Sequence, residues 1–172
     1  PDCELSVEGT ISSGTTTKPT QATYDSSGNM RSFEHHFTVN KTTGTGTAVN
    51  ATLVDISGLG AFHQASFVVE YGTRLQAVSD STTGTVVRTY GVNRFTSNNS
   101  VALTETNAIA GSSNSLAHAL VTVEIVSATQ YRLRVEFSST LGGSSFVSGV
   151  IRGYGVAGYF PTISFSNGMA GT

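Results

Sequence analysis

Short segments of alternating apolar and polar residues recur along this chain from residue 33 to residue 166, and they constrain its fold more than any other feature. They are "FEHHFTV" (33–39), "TAVNATLVDI" (47–56), "AFHQASFVVEYG" (61–72), "GTVVRTYGV" (84–92), "SVALTETNAI" (100–109), "LAHALVTVEIV" (116–126), "YRLRVEF" (131–137), "SFVSGVIRGYGV" (145–156) and "PTISFS" (161–166). Between them stand "SGLG", "SDSTTG", "TSNN", "AGSSNS" and "STLGGS". Side chains change face at every residue of a strand, so alternation marks a half-buried strand, and Gly, Ser, Asn and Asp clusters mark turns. Strands at this spacing predict an all-β chain, an antiparallel β-sandwich or barrel.

The most regular element is "VTVEIVSATQYRLRVEF" (121–137). Tyr131, Leu133, Val135 and Phe137 share one face, and Arg132, Arg134 and Glu136 the other. Val121, Val123 and Ile125 likewise oppose Thr122 and Glu124. This predicts a hairpin with one dry and one wet face, turning through "SATQ", with Glu124 placed to pair with Arg132 or Arg134. A helix is the competing reading only for "SNSLAHALVTVEIV", whose second half is β-branched and so favours strand. In "AFHQASFVVEY", Phe62 and Val68 face one side and Phe67, Val69 and Tyr71 the other, which predicts a strand in the sandwich centre or at a subunit interface. No internal repeat is visible, which argues against a solenoid or propeller.

Residues 1–11 alternate weakly, and "SSGTTTKPTQATYDSSGN" (12–29) is polar and rich in turn residues. The division expected is an N-terminal arm or linker over 1–30 and one β-sandwich domain over 31–172. A chain of 172 residues is long enough for one full core.

Composition excludes several function classes. Net charge is −2 and only 12% of residues are charged, so the basic footprint of a nucleic-acid binder is missing. Ser and Thr make up roughly a quarter of the chain, with 19 Gly and no Trp. A surface of hydroxyls rather than charges suits β-rich extracellular or virion proteins. Cys3 has no second cysteine to join, leaving a free thiol or an interchain bridge. No apolar run reaches membrane-spanning length and no signal-peptide pattern is present, so membrane insertion is not expected. A start at Pro1 fits a chain that is processed or cut from a longer protein.

Paired histidines beside a carboxylate, as in "FEHHF", suggest a metal or acid–base site, but strand parity separates them. His35 shares a face with Phe33, Phe37 and Val39, and His36 with Glu34 and Thr38. His35 is therefore read as a core or interface residue, and His36 with Glu34 as a polar surface pair. If His35 does more than pack, a pH-sensitive subunit contact is the expectation, because charging it in an apolar interface weakens the contact. A metal cluster would require His35, His63 and His118 to converge from separate strands, and neither His-x-His nor the helical i, i+4 pair occurs. No Ser occupies G-x-S-x-G. Glu70, Glu124 and Glu136 lie in strand patterns and read as surface charge rather than as a glycosidase pair. "IRGYGVAG" (151–158) mimics a dinucleotide fingerprint but lacks a following helix, and reads as a glycine-kinked strand. Asn-x-Ser/Thr occurs at Asn40, Asn50 and Asn98. No catalytic residue, metal or cofactor is expected.

Two loops remain as binding candidates. "GVNRFTSNN" (91–99) holds Arg94, Phe95 and Asn98, and "GYGVAGYFP" (153–161) holds Tyr154, Tyr159 and Phe160. Aromatic rings beside amides suit stacking on sugars, and they equally suit core or intersubunit packing. Arg94, Phe95, Asn98, Tyr154 and Tyr159 are the binding candidates.

The charge-poor Ser/Thr/Gly surface, the polar segment before residue 31, and the hairpin 121–137 followed by "FVSGVIRGYGV" (146–156) resemble the β-sandwich modules of bacteriophage virions, the receptor-binding domains of tail or head fibres. The resemblance covers about 48–160 and transfers no binding residue. It implies an antiparallel β-sandwich of jelly-roll-like topology and a homo-oligomer, a trimer by the family's habit, in an extracellular virion. It also implies a host cell-surface glycan or protein as receptor, with 1–30 meeting other virion proteins. The expectation is a non-enzymatic attachment or structural protein. An extracellular carbohydrate-binding or adhesion module and a β-sandwich glycan-active enzyme are the alternatives.

Overall fold

The computed structural model describes residues 21–43, 49–61, 63–76, 81–94, 99–111, 119–137, 143–156, 160 and 162–166. Every regular element among them is a strand. In chain order they are β1 (Gln21–Tyr24), β2 (Met30–Thr43), β3 (Val49–Ser57), β4 (Gln64–Gln76) and β5 (Ser81–Arg94), then β6 (Asn99–Gly111), β7 (Ala119–Ser127), β8 (Gln130–Phe137), β9 (Gly143–Val156) and β10 (Thr162–Phe165).

They form two antiparallel sheets. The large one runs β1-β2-β9-β4-β5-β6 and the small one β10-β3-β8-β7. The protein is an all-β sandwich. Strands far apart in sequence pair in nested fashion, β2 with β9 and β3 with β8, which is the wrapping of a jelly roll. The nesting stops there: β4 pairs with its neighbour β5 and β7 with its neighbour β8. Local hairpins thus complete both sheets.

The core follows the alternation. Phe33, Phe37 and Val39 of β2 point inward with Phe67, Val69 and Tyr71 of β4 and Val147 and Ile151 of β9. Tyr131, Leu133, Val135 and Phe137 of β8 meet them from the small sheet, each essentially without solvent contact. On the wet side of β8, Glu124 Oε2 reaches Arg134 Nη1 at 3.0 Å and Arg132 Nη1 at 3.5 Å, the pairing expected of that hairpin. The turn is tighter than "SATQ" suggests, because β7 runs to Ser127 with a bulge between Ile125 and Ser127. The two faces of β4 also differ. Phe67, Val69 and Tyr71 are buried in the sandwich, whereas Val68 and Glu70 lie on the opposite side.

Polar groups tie the sheets together. Val121 of β7 receives the Tyr90 hydroxyl on its carbonyl and donates its amide to the Tyr71 hydroxyl at 3.4 Å. At the other end, Phe33 centres an aromatic cluster with Phe165 at 4.9 Å, Phe160 at 5.5 Å and Phe67 at 6.3 Å. Edge-to-face and tilted contacts of this kind add about 0.5–1.5 kcal/mol per pair beyond area burial.

Three positions bear on the expectations. The sheet takes in Gln21–Tyr24, which pairs with β2 through a turn at 25–29, so the expected boundary at residue 31 falls inside a hairpin. Residues 1–20, with Cys3, lie outside the described residues. His35 is only 3% exposed and closed between the chain's own sheets, so it is a core residue and not a subunit contact. Phe160 is buried, and its amide donates to Met30 O at 3.1 Å.

Candidate functional site

β9 decides which side chains reach the outer face of the large sheet. Its inward positions include Gly149 and Gly153, because other side chains fill the space a Cβ would need. A Cβ on Gly153 would lie 2.3 Å from the Phe33 ring, and one on Gly149 would lie 2.6 Å from Tyr71 Cβ. This is the glycine-marked strand expected from "IRGYGV". The alternate positions Ser148, Val150, Arg152 and Tyr154 therefore face out.

Register sets their neighbours. Tyr154 lies opposite Ser32 of β2 on one side and Ser66 of β4 on the other, and Ser66 lies opposite Gly91 of β5. Only small residues flank the ring across the sheet, and Tyr154 is 47% exposed. The next outward row along the strands is Gln21, Glu34, Arg152 and Val68. Adjacent strands are about 4.8 Å apart and successive outward rows about 7 Å apart.

Charges in this second row hold one another. Arg152 donates Nε to Glu34 Oε2 at 2.8 Å, and its Nη1 pairs with Glu70 Oε2 at 3.2 Å. His36 donates Nε2 to Glu34 Oε1 at 3.0 Å, so the surface pair expected from parity is present. Hydrogen bonds from His36 first, then Arg152, hold the Glu34 carboxyl below the ordinary carboxylate value, and Glu34 followed by Glu70 raises Arg152. Thr23 and Ser32 share a hydroxyl hydrogen bond of 2.6 Å. An open groove of about 200 Å³ follows these residues, walled by Gln21, Thr23, Ser32, Glu34, Arg152 and Tyr154, with Ala22 and Phe33 beneath.

Of the binding candidates, Tyr154 alone is placed at this groove. It stands on strand β9 rather than in a loop. Arg94 ends β5 and donates its guanidinium to the Leu59 carbonyl, while its amide donates to His63 O at 3.0 Å, so it ties Leu59 and His63 to the end of β5. Phe95, Asn98 and Tyr159 lie outside the described residues. Gln21, Thr23, Ser32 and Arg152 are not among the sequence candidates, and Glu34 is read there only as the surface partner of His36. The usable signal was the spacing of two in "RGY", which places Arg152 and Tyr154 on one face.

The histidines do not converge among the described residues. His35 is in the core, His36 faces outward, and His63 closes a turn in which its Nδ1 accepts from Gly60 N at 3.1 Å. His118 lies outside the described residues. No group of three His, Cys, Asp or Glu able to hold a metal occurs among those described.

No known family model matches the chain, and no curated protein sequence matches it. Two solved structures share some of its shape. The tailspike protein of Acinetobacter baumannii phage AM24 is 12% identical with a TM-score of 0.39, covering 76% of this chain and 28% of that one. The tailspike protein of Acinetobacter phage vB_ApiP_P1 is 11% identical with a TM-score of 0.36, covering 93% of this chain and 26% of that one. The chain weakly resembles phage tailspikes. It spans little more than a quarter of either protein's length, and at these values the likeness bears on nothing beyond the resemblance itself.

Proposed function

We propose that this chain is a non-enzymatic attachment module of a virion, acting as a homo-oligomer that holds a glycan of the host surface in the groove beside Tyr154. The observation that carries the reading is the half-exposed Tyr154 ring, flanked by small residues and adjoining the fixed row Gln21–Glu34–Arg152. A pyranose has an apolar face that stacks on an aromatic ring and hydroxyls that suit planar amide, carboxylate and guanidinium groups. The virion setting is supported by the charge-poor, hydroxyl-rich composition.

Two features favour binding over turnover. The carboxyl of Glu34 is held ionised by His36 and Arg152, the wrong state for a general acid. A second carboxylate, Glu70, is engaged by the same guanidinium.

The test is binding of the fluorescently labelled chain to a panel of bacterial strains with different surface polysaccharides. Binding to some strains that periodate oxidation of the cells abolishes and protease treatment leaves intact is the expected result. Binding that survives periodate and disappears with protease, or no binding to any strain, sinks the glycan reading. Light scattering should give a mass near three times 17.9 kDa; a monomer removes the oligomer from the proposal.

A further inference from the structure

We infer that the groove beside Tyr154 selects uncharged saccharides and turns away acidic ones, an inference that rests on the glycan reading of this site. A single Arg in a sugar-binding groove would ordinarily suggest a uronate or another acidic sugar. Arg152, however, faces two carboxylates, Glu34 at 2.8 Å and Glu70 at 3.2 Å. His36, bonded to Glu34 at 3.0 Å, is counted as neutral, as in the formal charge; two negative charges against one positive then leave the cluster at −1. Among the described residues, no lysine or further arginine lines the groove.

An incoming carboxylate would therefore meet a guanidinium already matched and an excess negative charge well within the Debye length of about 10 Å at 0.1 M salt. Replacing one of the resident carboxylates would strand it near the like charge of the other. A neutral sugar has no such conflict. Each carboxylate oxygen keeps lone-pair capacity for a hydroxyl beside its ion-pair contact.

The dimensions fit one ring at a time. Ser32 and Ser66 stand one strand to either side of Tyr154, about 4.8 Å away in each direction. A pyranose laid over either serine would present its apolar face to the phenol ring. Its hydroxyl edge would then reach the row of Glu34 and Arg152, about 7 Å along the strands. The cross-strand neighbour beyond Ser66 is Gly91, where a Cβ would meet nothing within 4 Å.

The experiment is titration of the purified chain with neutral polysaccharides (dextran, mannan, galactan) and polyuronates (alginate, polygalacturonate), at low and at high salt. The expected result is binding to at least one neutral polymer, little changed by salt, weakened about tenfold or more by Tyr154→Ala, and no binding to polyuronates. Glu70→Gln, which removes the excess charge, should bring polyuronate binding up from nothing. Circular dichroism and melting of each variant establish that it is folded. Binding confined to polyuronates, falling steeply with salt and lost in Tyr154→Ala, overturns the selectivity while leaving the glycan site standing. No binding to any polymer, or binding indifferent to Tyr154→Ala, overturns the selectivity and the glycan site together.

Discussion

His35 and Ser166, 131 residues apart, join the first long strand to the end of the last one: the imidazole Nε2 donates to the Ser166 carbonyl at 3.0 Å. Ser166 in turn donates its amide to Leu53 O at 2.8 Å, so β10 ends between the two sheets. The His35 ring packs on Phe165 at 4.9 Å, and its buried Nδ1 has no hydrogen-bond partner among the described residues. A neutral ring tolerates that position. A protonated one would carry a second N–H donor into an apolar wall.

Burial accordingly pushes His35 below the ordinary imidazole value of 6.5. Above about pH 7.5 His35 is neutral whether the chain is folded or not, and the folded state carries no penalty. As pH falls through 6.5, the unfolded chain takes up the proton first, and stability declines until the depressed folded value is passed. Glu34 titrates below its ordinary 4.5 and stays ionised throughout. The melting temperature should therefore fall between pH 7.5 and pH 5.5, and His35→Phe should flatten that slope. An identical slope in the variant would show that another group is responsible.

Gly149 and Gly153 should resist substitution, and Gly91 should not. A Cβ at Gly149 would sit 2.2 Å from the Glu70 carbonyl oxygen, which is backbone and cannot swing aside; at Gly153 it would strike the Phe33 ring. Overpacking of this kind costs about 1–3 kcal/mol, and Gly149→Ala should be the worse of the two. At Gly91 a Cβ meets nothing within 4 Å, so Gly91→Ala should be neutral or gain about 0.5–1 kcal/mol, as expected where Gly weakens a strand interior. Urea midpoints rank the three, and equal losses at all of them would refute the packing account.

Alternation read from the sequence determined the faces well. It put His35 with Phe33 and Phe37, separated His36 toward Glu34, and aligned Tyr131, Leu133, Val135 and Phe137, because parity is local and does not depend on which strands pair. Pairing is not local. That Glu34 of β2 meets Arg152 of β9, 118 residues on, follows from the nested order of the large sheet, which no single strand encodes. The groove escaped the sequence reading for that reason. Arg94 depends on the fold in a related way: an arginine at a strand end resembles a ligand donor until its acceptor, the Leu59 carbonyl, is brought beside it by another segment.

Arg94 provides the third test. Its contact supports the connection between β3 and β4, where Leu59 is buried. Arg94→Met keeps the aliphatic stem and removes the donor, and should lower stability by about 1–2 kcal/mol. Polysaccharide binding at the Tyr154 groove should change by no more than about twofold, under 0.5 kcal/mol. Loss of binding with stability intact would return Arg94 to the candidate site.

The turn before β2 has its own lock. Asp25 accepts from the amides of Ser27 at 2.9 Å and Asn29 at 2.8 Å, from Asn29 Nδ2 at 3.1 Å, and from Arg31 Nη2 at 3.3 Å. Gly28 completes it with a φ of 81°, a left-handed conformation that Gly adopts without steric cost. The backbone bond from Asn29 chiefly, with its side chain next, holds the Asp25 carboxyl below its ordinary 3.8, so the lock should persist until pH falls under that value. Among the described residues β1 is an edge strand bonded only to β2, and it contributes Gln21 and Thr23 to the groove. Asp25→Ala should therefore raise hydrogen exchange at residues 21–24 while leaving exchange in β4 and β8 unchanged, because it frees a local hairpin and not the core. Glycan binding should weaken in the same variant, since one wall of the groove depends on that hairpin. Faster exchange at 21–24 with full binding would mean that Glu34, Arg152 and Tyr154 hold the ligand without β1.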